Sequence, residues 1–196
     1  MLKAVKLVFG EHFNNIRRIF YMAKTNVVKS TINTSLGLWW IVIRDLIYFS
    51  VFSGFRYLIA GDRAVEGMHF IVYVITGLVP WFMANEVISA GTAAIMRNKS
   101  IINNIVFPIT IIPTIEVIGI FMKRFVTLLF VVIIISIFGT ITSINILLVL
   151  YYMIAFIMIM LAYNLIFSAL IALSNDFHQL VNTSVRIIFY SLPIIW

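Results

Sequence analysis

The chain has no cysteine among its 196 residues, which excludes disulfide frameworks and thiolate metal sites. Charge is scarce too, at 11% of residues against about 25% in a soluble domain. Acidic residues number seven and basic ones fourteen. The three histidines, His12, His69 and His178, fall in different segments without metal-ligand spacing. His178 lies near Asp176 in a polar stretch, where a solvated loop accounts for the pair better than acid–base chemistry. No Gly-rich loop runs into Lys-Ser/Thr, so the chain has no P-loop of its own for ATP. HExxH and GxSxG are absent as well. Ser53-Gly54 is explained by close helix packing of small residues. An integral-membrane enzyme of lipid or glycan metabolism would need a convergent acid, base or nucleophile. The sequence displays none, and catalysis by this chain is not expected.

What the chain has is apolar length. Hydrophobic residues make up 63%, gathered into blocks at Leu36–Ala60, Met68–Ile95, Ile111–Phe138, Ile144–Leu173 and Leu180–Trp196. A bilayer core of about 30 Å needs about 20 predominantly apolar residues in a helix, and the first four blocks supply them. Strands of a barrel would alternate with period two, whereas Val131–Ile135 is continuously apolar. Since only helices and closed barrels satisfy the backbone in lipid, the expected fold is an all-α integral membrane bundle of five spans. Residues 1–35 form a cytoplasmic segment ahead of it, too basic and polar for a cleavable signal peptide. The net charge of +7 serves topology here, not nucleic acid.

Orientation follows from Lys and Arg in short loops, which favour the cytoplasmic side. Lys3, Lys6, Arg17, Arg18, Lys24 and Lys29 place the N-terminus inside. Gly61–Gly67 falls outside, Arg97–Asn104 returns inside with Arg97 and Lys99, Gly139–Asn145 is outside, and Ser174–Gln179 is inside by alternation. Two regions are amphipathic. Phe13, Ile16, Phe20, Ala23 and Val27 recur at helical steps, with Arg17, Arg18 and Lys24 elsewhere on the wheel. This is either a basic helix on the anionic inner leaflet or a docking helix for a cytoplasmic partner. Asn98–Pro108 is a short stretch whose helix should end before Pro108; it is suited to transmitting force from a partner or serves as a plain connector.

Ionisable groups at membrane depth are costly and mark function by default. Arg44, Asp45 and Arg56 lie near block ends, where snorkelling accounts for them. Glu86 lies deeper and must be protonated, paired or wet. Glu116, Arg186 and the pair Lys123-Arg124 are the remaining charges. Either the pair is submerged, or the span runs on to Ile144 and Ile109–Met122 is a Pro-broken interfacial segment. Glu86 or Glu116 is expected to offset Lys123-Arg124 within the bundle. Aromatic residues, 15% of the chain, suit sugar stacking and lipid contact equally.

Four landmarks then appear in order. Thr34-Ser-Leu-Gly-Leu-Trp-Trp40 follows a basic amphipathic segment, and Thr76-Gly-Leu-Val-Pro-Trp81 lies in the second block. Asn98 to Pro113 contains Phe107-Pro108 and a following Ile-Pro, and Asn175-Asp176 leads to Pro193-Ile-Ile-Trp196. With them the chain resembles, from about Ile16 onward, the type-2 permeases of bacterial ABC transporters that export O-antigen, capsular polysaccharide or teichoic acid. The resemblance implies a multi-pass protein of the bacterial cytoplasmic membrane, paired with a second copy of itself. It implies two separate ATPase subunits that hold ATP-Mg and dock on Arg17, Arg18 and Lys24 and on a coupling helix with Asn98, Lys99, Ile101, Ile102 and Phe107. The substrate would be a lipid-linked glycan. Charge and depth make Arg44, Glu86, Lys123 and Arg124 candidates for its path. A drug- or lipid-exporting permease of the same superfamily is the nearest alternative, and a non-transporting membrane scaffold is another. Arg44-Asp45 stands where many members have Asn-Pro. Members continue through re-entrant helices and a sixth span, so the chain is expected to be a C-terminally truncated piece.

Overall fold

The computed structural model describes residues 2–32, 34–37, 39–60, 70–99, 102, 108–137 and 146–192. All regular structure among them is helical. In chain order the helices are α1 (Leu2–Asn14), α2 (Ile16–Thr31), α3 (Trp39–Ala60), α4 (Phe70–Glu86), α5 (Ala94–Arg97), α6 (Ile111–Ile137), α7 (Ile146–Leu173) and α8 (Asn175–Ser191). A π-helical turn, Val87–Gly91, continues α4 toward α5. The expected connections at 61–67 and 139–145, most of the coupling helix, and the segment from Pro193 to Trp196 lie outside the described residues.

Three helical stretches are long and apolar enough to cross a membrane: Val72–Gly91, Ile111–Ile137 and Leu147–Leu173. α3 has 22 residues, about 33 Å at the helical rise, yet carries Arg44, Asp45 and Arg56. α8 differs more from expectation. It starts at Asn175 rather than Leu180, runs for 17 residues, and buries only the Val181 and Val185 stripe. Local capping explains the earlier start. Ser174 Oγ accepts from the Asp176 backbone N–H at 3.3 Å, and Asp176 stands in the first turn, where a carboxylate favours the helix dipole. The end is equally local, since Leu192 takes extended backbone before Pro193.

α6 decides between the two alternatives for its block. It is unbroken from Ile111 to Ile137, because Pro113 falls in the first turn, where its missing N–H costs no ladder bond. Lys123 and Arg124 therefore sit mid-helix, and the Pro-broken segment Ile109–Met122 is not formed. α6 is also the hub of the bundle. Phe49 of α3, with Val74, Ile75, Leu78, Val79 and Met83 of α4, packs with Val131 of α6 in one core. Val87, Val117 and Ile120 meet Met160 and Leu161 of α7 in another.

α2 lies along the start of α6, with Ile19 and Ala23 buried against Ile111 and Ile115. Only part of the amphipathic stripe is covered: Ala23 is buried and Val27 half-buried, while Phe13 is 80% exposed and Ile16 and Phe20 are exposed too. A helical wheel marks an apolar face without saying which part of it finds a partner. Here the part with the small residue does, because Ala23 opposes Gly119, whose added Cβ would stand 3.5 Å from the Ala23 carbonyl oxygen. The end of α1 is tied to the same place. Glu11 accepts from the Thr110 hydroxyl, and a His12 ring nitrogen lies 2.8 Å from Thr114 Oγ1.

α7 is apolar on every side, as a helix surrounded by lipid is, with only 17% of its spanning window buried. Its buried polar residues are Asn164 and Ser168. Asn164 fits against the π-helical turn because Gly91 has no side chain. A Cβ there would stand 2.2 Å from Asn164 Oδ1. Asn164 Nδ2 donates to the Met160 carbonyl at 2.8 Å, while Oδ1 has no hydrogen-bond partner.

Candidate functional site

Four charged side chains from three helices meet inside the bundle. Arg124 of α6 donates from its Nη1 to Asp45 Oδ2 of α3 at 2.5 Å. Its Nε donates to Glu86 Oε2 of α4 at 2.7 Å. Lys123 Nζ contacts the other oxygen, Glu86 Oε1. The Thr127 hydroxyl, one turn beyond Lys123, donates to Asp45 Oδ2 at 3.2 Å. The side chains of Asp45 and Arg124 are 3% and 7% exposed, so neither charge is solvated on its own. An unpaired charge at membrane depth costs about 2.5–3.5 kcal/mol on insertion scales. Two carboxylates and two cations close the set at zero net charge, and fork-like donation by the guanidinium satisfies both acids at once.

The expectation that Glu86 or Glu116 offsets the basic pair resolves to Glu86. Glu116 instead accepts from Arg97 at 2.8 Å, and Arg97 also donates to the Ala90 carbonyl at 3.0 Å. That bridge fixes the end of α5 to α6 outside the network. Asp45 corrects the sequence reading. It is buried beside Arg124 rather than snorkelling, because its position faces α6 while neighbouring Arg44 turns outward. Arg44 is exposed, and the Arg56 side chain lies outside the described residues.

The network forms one side of a cavity of about 480 Å³ between α3, α4 and α8. Asp45, Glu86 and Arg124 line it together with Arg44, Asn85, Ser89 and Arg186. Its remaining walls are aromatic. Trp81 and Phe189 stack with centroids 5.7 Å apart and planes at 20°. Phe52 meets Phe189 edge-on at 5.7 Å, and Tyr48 meets Phe82 at 5.3 Å. Charged groups beside flat aromatic faces suit a ligand with anionic and sugar-like parts. A second, open groove of about 510 Å³ runs from Thr34, Trp40 and Ile47 to Arg44 and Tyr48, which both concavities share.

Three of the four residues expected along a substrate path therefore border one space: Arg44, Glu86 and Arg124. Lys123 does not. It faces a crevice against Asn26 and Ser30 of α2 and reaches the site only through Glu86. The residues expected to dock an ATPase divide similarly. Arg17, Arg18, Lys24 and Lys99 are exposed, and Asn98 and Ile102 are half-buried. Asn98 lines a crevice of about 170 Å³ with Tyr21, Asn26 and Lys29 of α2, so the two amphipathic regions share one surface. Ile101 and Phe107 lie outside the described residues.

Arg186 was legible as an intramembrane charge without a role. Its partners on the wall, Phe189 and Tyr190, stand three and four residues on, which puts all three on one helical face. That spacing was the available signal. Among the described residues no group of three His, Asp or Glu side chains is placed to hold a metal ion. Compared with protein families and with curated proteins, the chain gives no match to either.

Proposed function

We propose that the chain is the membrane-spanning permease subunit of an ABC exporter that moves a lipid-linked cell-surface polysaccharide or teichoic acid across the bacterial cytoplasmic membrane. On this reading α3 and α8 join the three apolar helices as further spans, α1–α2 is a cytoplasmic interface helix, and the N-terminus faces inward. Two copies pair, and separate ATPase subunits supply ATP hydrolysis.

The cavity carries the reading. A space walled by Trp81, Phe82 and Phe189 and lined by ionised groups offers stacking for sugars and hydrogen bonds for an anionic linkage. Its acids, Asp45 and Glu86, are engaged by Arg124 and Lys123, which favours binding and passage over proton transfer. The joint surface of α2 and Asn98, bridged to α6 through Arg97 and Glu116, supports the docking role, since force applied there reaches the helix that bears the ionic network. A drug- or lipid-exporting permease would share this architecture and differ in cargo.

The test is purification of the protein in mild detergent, followed by an ATPase assay with lipid-linked glycan added. The expected result is a co-purifying ATPase, lost on disrupting Asn98–Phe107 and stimulated by the glycan lipid. Stimulation by drugs or phospholipid alone would redirect the reading to the alternative cargo. Absence of any ATPase partner would sink it.

A further inference from the structure

The π-helical turn Val87–Gly91 lies between two ionic ties to α6. Glu86, immediately before it, holds Lys123 and Arg124, and Arg97, at the end of α5, holds Glu116. Glu86 and Arg97 are eleven residues apart, about 16 Å of straight helix, whereas Glu116 and Lys123 are seven apart, about 10 Å. The irregular stretch takes up part of that surplus. A π turn bonds each residue to the fifth along, so it holds one residue more than the α turn it replaces. Ala93 follows at φ −82° and ψ −1°, well off the helical ψ. Closing the π turn to α geometry, with α4 held at Glu86, would move every later residue by one position on the wheel, about 100°. Ala90 would then take the bearing toward α7 that Gly91 has now.

That bearing has no room for a side chain. A Cβ on it would stand 2.2 Å from Asn164 Oδ1 and 2.8 Å from Cγ. Asn164 in its present pose therefore bars the α form, by the same clash that bars a side chain at Gly91. The bar is removable. One hydrogen bond holds the amide, from Nδ2 to the Met160 carbonyl at 2.8 Å, and Oδ1 has no partner to lose. The tie at the far end is removable too, because the Arg97 side chain is 50% exposed and a pair that open to solvent contributes little. The Glu86 end is the fixed one, since its two cations hold it inside the bundle.

We propose that Asn164 and Gly91 form the lock of a two-state joint between α4 and α5. While the amide sits on Gly91, the turn stays π-helical and Arg97 reaches Glu116. When the amide swings off, the turn closes to α-helix, α5 and Asn98 rotate by about 100°, and the Arg97–Glu116 bridge opens. The extra residue of the π turn is what the two states exchange. The joint deepens the permease reading by giving the docking surface two registers against a fixed ionic network. It rests on that reading for what drives the change, not for the existence of the two states.

The experiment is double electron–electron resonance on the detergent-purified chain. With no native cysteine, two introduced ones carry the only spin labels. One replaces exposed Lys99 beyond α5, paired in turn with one at exposed Leu173 of α7 or exposed Met122 of α6. One distance should dominate in each pair for the otherwise unaltered chain. Asn164→Ala should bring in a second, displaced by up to about 8 Å, the chord of a 100° turn at the outer radius of a helix. Gly91→Ala attacks the lock from the other side and should give the same second distance. Deleting Ala90 removes the extra residue while leaving Glu86 and Arg97 in register, so it should keep the original distance even when combined with Asn164→Ala. A thermal melt of each variant reports whether it folds. Original distances at both pairs in folded Asn164→Ala and Gly91→Ala would overturn the joint. So would a second distance that survives deletion of Ala90. Loss of fold in both substitutions would overturn it as well, because the α form would then not be a folded state. The labels are read without any ATPase present, so failure of the permease reading leaves this result standing.

Discussion

Replacing Gly91 by alanine adds one methyl group at a place that has no room for it. The new carbon would stand 2.2 Å from Asn164 Oδ1, 2.8 Å from Cγ and 3.3 Å from Nδ2. The first two distances lie well inside van der Waals contact, and the obstacle is not a floppy chain end. Asn164 is fully buried, and its Nδ2 is held by the Met160 carbonyl. Either the amide swings away and loses that bond, or the π-helical turn moves off α7. Overpacking of this kind costs about 1–3 kcal/mol. In a chain of this size that corresponds to about 2–4 °C of melting temperature per kcal/mol. The same substitution in an Asn164→Ala background should cost nothing, because the colliding group and its unpartnered Oδ1 are both gone. It should even gain up to about 1 kcal/mol, since glycine is the poorer helix former. A double-mutant cycle by thermal unfolding in detergent measures the difference, and a coupling of about 1–3 kcal/mol is expected. Equal cost of Gly91→Ala in both backgrounds would refute the packing argument.

Removing Arg124 as Arg124→Met leaves Asp45 buried with only the Thr127 hydroxyl, so a loss of about 3–5 kcal/mol is expected. Asp45→Leu in the same chain should recover most of it, because Glu86 keeps Lys123; failure to recover would show that the pair is not the source of the cost. Glu86→Lys places a third cation beside Lys123 and Arg124 and should abolish stable folding. Restoring one pair with Lys123→Glu should return part of the folded yield on size-exclusion chromatography, and no return at all would contradict the pairing. At the α2–α6 contact, Gly119→Ala should be tolerated, since its Cβ meets nothing closer than 3.5 Å, whereas Ala23→Leu should destabilise by about 1–3 kcal/mol. Protease susceptibility of α2 reads that difference directly.

The sequence revealed the apolar helices well, because lipid-length runs leave few alternatives. It also showed that Glu86 and Lys123-Arg124 had to be reconciled, since isolated charges cannot remain in an apolar block. It could not place Asp45 in the same cluster. Asp45 sits beside Arg44 near two tryptophans, and sequence proximity to an interface hid a side chain that turns toward α6. Which part of the α2 stripe is covered was hidden for a related reason. Phe13, Ile16 and Phe20 share that stripe with Ala23 and are larger, but the contact goes where backbones approach closely, opposite Gly119. Both misses concern which neighbour a helix meets, and that is settled by packing between segments far apart in the chain.

The tie between the N-terminal helices and α6 has a consequence for how the protein is made. Glu11 and His12 meet partners 99 and 102 residues further along the chain. Synthesis at about 5–20 residues per second makes them wait on the order of 5–20 seconds for those partners to be translated. During that interval Ile19 and Ala23 lack the Ile111 and Ile115 side chains that cover them in the finished fold. The N-terminal helices are therefore made first and reach their final packing late, only after the start of α6 has been translated.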